Sequence, residues 1–188
     1  EEGYILYNPG QTLATEKTTP FKIGSVNPKW NLGWRHGFNY KGINANVMFT
    51  ARIGGNVISK TQATLDRFGV SKASADARDA GYVMLGNIKM QPEDYYGTIY
   101  DLDSYYVYSA TNVRLQEASI GYTLPNKWFG DVVKNVNISV YGTNLWMIYN
   151  KAPYDPELTA STGTFGQGYD YFMLPSSRTY GFSLKFGF

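Results

Sequence analysis

Residues 30–53 alternate apolar and polar side chains with period two, in two consecutive runs. Trp30, Leu32, Trp34, Phe38 and Tyr40 fall on even positions, with His36 among them; Asn31, Gly33, Arg35, Gly37 and Asn39 take the odd ones. After Lys41-Gly42 the apolar set moves to odd positions: Ile43, Ala45, Val47, Phe49, Ala51 and Ile53, opposite Asn44, Asn46, Thr50 and Arg52, with Met48 on the polar side. Sustained period-two alternation is the pattern of a strand with one apolar and one polar face. Two such runs joined by two residues predict a hairpin. Tyr180, Phe182, Leu184, Phe186 and Phe188 repeat the pattern at the end of the sequence. Two more candidates, Thr111 to Leu124 and Val136 to Tyr149, lose phase partway along, as a β-bulge would cause.

Composition removes the competing classes. Charged residues are 17% of the 188, and aromatics 16%. Low charge with many rings is the reverse of a disordered chain. The longest uninterrupted apolar run, Leu145 to Tyr149, is far short of the roughly 20 residues a spanning helix needs. The absence of cysteine excludes disulfides and thiolate metal sites, and a single histidine, His36, excludes a multi-histidine site. A net charge of +2 without a basic run gives no reason to expect nucleic acid as a partner. No nucleophile motif accompanies a base, so no enzyme activity, cofactor or metal is expected. Asp101 with Asp103, and Asp155 with Glu157, do not follow a calcium-loop pattern. Asp155 and Glu157 are expected to hold a turn around Pro156. No signal peptide is visible at Glu1-Glu2-Gly3-Tyr4.

Strands this long exceed the usual five or six residues of soluble proteins and suit a transmembrane barrel, whose apolar face meets lipid. The expected fold class is all-β: an antiparallel transmembrane β-barrel fragment with strands at about 29–40, 43–54, 111–124, 136–149 and 178–188. Connections alternate short and long: Lys41-Gly42 and 125–135 against about 59–110 and 150–177. Barrels of the outer membrane have short periplasmic turns and long extracellular loops. The two long connections, and the opening region 1–28, are therefore expected outside. Trp30 and Trp146 would ring the outer interface, and Tyr40, Tyr122, Phe186 and Phe188 the inner one. Residues 61–78 are helix-compatible, with Gly81 as a stop. Five strands cannot close a lipid-spanning cylinder, since the smallest bacterial barrels use eight. The strands then belong to a larger barrel or to one shared among several chains. A soluble β-domain that stacks sugars on its rings, and a structural or adhesive barrel, are the alternatives.

Several segments, in order along the chain, resemble the SusC/RagA-type TonB-dependent outer-membrane transporters of Bacteroidota. They are Ile23 to Trp30 with Phe38 to Gly42, Val113 to Pro125, the Gly142-Thr143-Asn144-Leu145 segment, Tyr154 to Glu157, and Pro175 to Tyr180 closing on Phe188. The resemblance implies the last five strands of a 22-stranded barrel in the cell outer membrane. It implies import of an oligomeric substrate, glycan or peptide, with a SusD-like lipoprotein as lid. The implied partners are the rest of the barrel and its plug, the TonB complex and the lipid bilayer. The loop residues expected to touch substrate are Tyr105, Tyr106, Tyr169, Asp170 and Tyr171, whose rings and carboxylate suit sugar faces, hydroxyls or peptide side chains.

Overall fold

The computed structural model describes residues 22–128, 134–158, 163 and 166–187. Phe188, Phe129 and residues 1–21 of the opening region lie outside them. In chain order the elements are β1 (Trp30–Tyr40), β2 (Ile43–Ile53), β3 (Asn56–Ser59), α1 (Lys60–Arg67), α2 (Lys72–Ala80), β4 (Val83–Leu85), β5 (Ile88–Met90), α3 (Pro92–Ile99), β6 (Val107–Ser109), β7 (Asn112–Thr123), β8 (Lys134–Asn150), β9 (Tyr169–Asp170) and β10 (Thr179–Gly187). Short 3-10 turns cover Asp103–Tyr106 and Asn126–Trp128. No helix among the described residues is long and apolar enough to cross a membrane, which says nothing of strands.

The chain divides into two compact units. The first to consider, residues 27–55, 109–158 and 174–188, is one five-stranded antiparallel meander in the order β1-β2-β7-β8-β10. Lys41 and Gly42 both take positive φ, 46° and 87°, between the paired Tyr40 and Ile43. That is the mirror-image turn whose twist suits a hairpin.

Register shows why the alternation matters. Phe38 lies opposite Ala45, Ala45 opposite Ile120, Ile120 opposite Val140, and Val140 opposite Phe182. The next row runs His36, Val47, Ala118, Gly142, Tyr180. Beyond it Trp34 meets Phe49, which meets Leu115, which meets Trp146. Every strand thus contributes its apolar residues to the same face. The lost phase in the third and fourth strands is recovered by register shifts between Met48 and Phe49, between Leu115 and Glu117, and between Val113 and Arg114. Each shift inserts an extra residue and returns the apolar set to its face.

Two of these irregularities have local causes. Asn144 sits at φ 53°, a left-handed conformation that asparagine tolerates better than most residues. At Gly142 a Cβ would lie 2.6 Å from a Leu145 methyl and 3.2 Å from the Tyr180 ring, so glycine leaves both side chains in place over the bulge. The resemblance motif Gly142-Thr143-Asn144-Leu145 is therefore a bulge signature.

The second unit comprises residues 1–26, 56–108 and 159–173. Its core is Ala63, Tyr95, Tyr96, Ile99 and Tyr106, with Ile58, Ala77, Val83, Leu85, Met90 and Leu102 packed around it. Helices α1 and α2 start on Ser59 and Ser71, whose hydroxyls accept from the Gln62 and Ser74 backbone N–H groups. Gly81, at φ 77°, ends α2 as a left-handed cap. The helix-compatible stretch 61–78 is two helices, parted at Gly69 with φ 72°. A three-stranded sheet, β6-β3-β9, and the β4-β5 hairpin complete the unit.

Candidate functional site

The apolar face of the sheet is built from residues that stay exposed: Trp34 at 60%, Ile120 at 56%, Val140 at 54% and Phe182 at 78%. Soluble proteins do not leave a contiguous face of this kind bare. His36 belongs to it, stacked on Trp34 at 5.8 Å. Tyr40, Ile43, Tyr122, Ile138 and Leu184 form the row at the hairpin end, with Phe186 exposed beside it; Trp30 lies opposite Ile53 at the other end of the hairpin, with Trp146 on the Trp34 row. Ten residue steps from Trp30 to Tyr40 at about 3.4 Å each, tilted by roughly 40°, give about 26 Å of height, the size of a barrel's apolar band. Aromatic rings therefore stand at both ends of that span.

The opposite face is small and polar. Asn44 donates to Thr123 Oγ1 at 2.9 Å, and Asn137 to the same oxygen at 3.0 Å, so three strands share one hydroxyl. Arg35 reaches across β2 to Glu117 at 2.9 Å. Tyr141 lies over Gly181, where a Cβ would come within 2.5 Å of its ring.

Where β7 and β8 approach the second long connection, a charged hub is buried. The Arg114 side chain is 5% exposed. It donates to Asp155 Oδ1 at 2.7 Å and to Asn144 Oδ1 at 2.9 Å, with Glu157 Oε2 at 3.6 Å. Asn144 in turn donates to the Ser177 carbonyl, and the Glu157 N–H donates to Asp155. Burial works against ionisation of Asp155, but hydrogen bonds from Ser176 and Arg114 and from the Glu157 backbone prevail, and its carboxyl titrates below its ordinary value. The turn around Pro156 is thus held by Asp155, and Arg114 fastens that turn to the sheet. Sequence reading found the carboxylates but not their arginine. Arg114 occupies an ordinary polar-face position, and nothing local marks it as buried.

In the second unit the loop residues expected to touch substrate separate into two kinds. Tyr106 is 1% exposed and part of the core. Asp170 is buried and accepts from Ser59 Oγ at 2.8 Å, tying β9 to the cap of α1. Tyr169 is half-buried and pairs in parallel with Ile58. Tyr105 and Tyr171 are exposed. Tyr105 stands edge-on to Tyr106 at 5.0 Å and accepts from the Tyr95 hydroxyl at 3.4 Å. Tyr171 stands edge-on to Phe172 at 5.3 Å. Asp103 is engaged by Lys60. The structure brings Tyr105 and Tyr106 together, and Tyr169 to Tyr171 in sequence.

An antiparallel sheet with one exposed apolar face, one small-polar face and, among the described residues, two unpaired edges is a segment of a transmembrane barrel wall. No family model matches the chain. It is similar to TonB-dependent receptor P3 of Formosa agariphila, with 29% identity over 173 residues, which is 87% of this chain and 17% of that protein. Its fold is that of the RagAB peptide importer in the open-open state, with TM-score 0.66 and 19% identity over 87% of this chain and 17% of the other. The RagAB peptide transporter gives TM-score 0.56 and 20% identity over 82% and 16%. The chain spans about a sixth of the length of these relatives. These likenesses support the resemblance of its motif segments to SusC/RagA-type TonB-dependent transporters, and the fold is that of a piece of their barrel wall.

Proposed function

We propose that this chain forms part of the wall and outer loops of a TonB-dependent importer in the outer membrane. The whole protein takes up an oligomeric substrate, glycan or peptide, under a SusD-like lipoprotein lid. The plug and the rest of the barrel complete the pore, and the TonB complex supplies the energy. In this reading the apolar face meets lipid, the small-polar face lines the lumen against the plug, and the long connections lie outside. Tyr105, Tyr169 and Tyr171 are the loop rings available to substrate, while Tyr106 and Asp170 hold them in place.

The observation that carries the reading is the unbroken apolar face across five strands, on a chain similar to a TonB-dependent receptor. In lipid, the unpaired backbone groups along β1 and β10 each cost several kcal/mol, so both edges require neighbouring strands. The test is uptake of fluorescent oligosaccharides and oligopeptides by cells carrying the full protein, with and without a protonophore. The expected result is accumulation of one class that collapses when the proton gradient is discharged and when the lipoprotein is deleted. Uptake indifferent to the gradient contradicts the reading.

A further inference from the structure

The apolar face of the sheet carries a groove of about 570 Å³. That is within the range of ligand pockets. Ala118 and Gly142 lie in one cross-strand row of its lining, and Ile120, Val140 and Phe182 in the next, with the Tyr180 ring beside Gly142. The three rows described above for this face hold no Asp, Glu, Lys or Arg.

A cation stands at the margin of this face. Arg178 lies two residues before Tyr180, and β10 begins at Thr179. The period of two therefore places Arg178 on the Tyr180 side of the chain. The segment that carries it is fixed: the Ser176 side chain bonds to Asp155, and the Ser177 carbonyl accepts from Asn144 at 3.2 Å. The acids of that network, Asp155 and Glu157, are taken by Arg114. Arg178 is exposed and, among the described residues, makes no hydrogen bond or ion pair.

An uncompensated guanidinium beside an apolar groove suits an anion whose own body is apolar. A phosphate-bearing acyl lipid has both parts. The planar fork of arginine meets phosphate with two parallel hydrogen bonds, and an acyl chain fills an apolar groove without leaving a polar group unpaired. A soluble anion would use Arg178 alone, and a neutral lipid the groove alone.

We propose that Arg178 and this groove form a site for one acyl lipid of the outer leaflet, with its phosphate on Arg178 and an acyl chain between Ile120, Val140 and Tyr180. The proposal rests on the reading of this face as lipid-facing with the long connections outside, and adds to it a lipid chosen by charge.

The test is native mass spectrometry of the full transporter in a non-ionic detergent. It is titrated with dioleoyl phosphatidic acid and with dioleoylglycerol, which differ only in the phosphate. The expected result is preferred binding of phosphatidic acid. Arg178→Gln should weaken that binding about fivefold, the worth of one cation beside an anionic lipid, and leave dioleoylglycerol unaffected. Ala118→Phe, which fills the groove, should weaken both lipids. Equal affinity of wild type and Arg178→Gln for phosphatidic acid overturns the proposal, as does equal binding of the two lipids by the wild type. Displacement of phosphatidic acid by millimolar inorganic phosphate, with Ala118→Phe silent, assigns Arg178 to a soluble anion and also overturns it. The lipid-facing reading fails separately, if a water-soluble nickel chelate reaches a spin label at Ile120 in vesicles.

Discussion

In the five-stranded sheet, Trp34, Ile120, Val140 and Phe182 stand open, whereas in the unit built on residues 56–108, Ala63, Ile99 and Tyr106 are shut away from solvent. The two regions obey opposite rules because they are suited to different solvents. Lipid accepts large apolar side chains without cost, and the backbone of the sheet is satisfied strand to strand. Water does not accept them, so the second unit folds them inward and stabilises itself with helix caps and a packed core. Polar groups reverse in step. Asn44, Thr123 and Asn137 bond to one another on the open polar face, while Ser59 and Asp170 bond in the interior.

Substitutions that treat the two regions alike should break this contrast, and the largest effect is expected at the buried hub. Arg114→Met leaves Asp155 without its cation in a site that excludes water, at a cost of about 3–5 kcal/mol. Hydrogen exchange across residues 150–158 should rise sharply. Next comes the core of the second unit. Ile99→Ala should cost about 2–5 kcal/mol and loosen residues 56–108 to protease while the sheet remains folded. On the sheet, Val47→Arg places a charge on the apolar face near mid-span, worth about 2–4 kcal/mol in denaturant titrations in vesicles, whereas Asn46→Arg on the polar face should be nearly silent.

Acid gives a gentler test. The folded Asp155 carboxyl titrates below the value near 3.9 expected of an unfolded chain, so its stabilisation is complete above that value. It is lost as pH falls through the lower folded value. Protection of the 150–158 amides, taken relative to their intrinsic exchange rate at each pH, should therefore be flat from neutral pH down to about 4 and fall below it, and Asp155→Asn should remove that acid dependence. The smallest effect belongs to the exposed Arg35–Glu117 pair, where Arg35→Met should cost less than about 1 kcal/mol.

Much of the sheet was legible because period two is a local signal, and both faces of β1 and β2 can be read off 24 consecutive residues, Trp30 to Ile53. The faces of β7 and β8 were legible only as a loss of phase. Recovering them requires the cross-strand register, which is a property of neighbours and not of either segment. The second unit was less legible still. A tyrosine at 105 and one at 106 look alike in sequence, yet the first is 44% exposed and the second 1%. Their difference is made by Tyr95, Tyr96 and Ile99 on α3, which cluster with the Tyr106 ring in the core, whereas Tyr105 reaches Tyr95 through its hydroxyl. Arg114 escaped notice for the same reason. Burial of a charged residue depends on what the distant chain folds over it.

The most direct test of the account is the solvent on each face of the sheet. Single cysteines at Val47, Ile120 and Phe182, and at Asn46, Ser119 and Ser183, can each carry a spin label once any cysteine outside these 188 residues, which have none, is replaced. The account predicts, for the full protein in vesicles, that labels at 47, 120 and 182 collide with lipid-soluble oxygen and not with a water-soluble nickel chelate. Labels at 46, 119 and 183 should do the reverse or be shielded from both. Equal accessibility of the two sets, or chelate access to 47, 120 and 182, would contradict a lipid-facing wall.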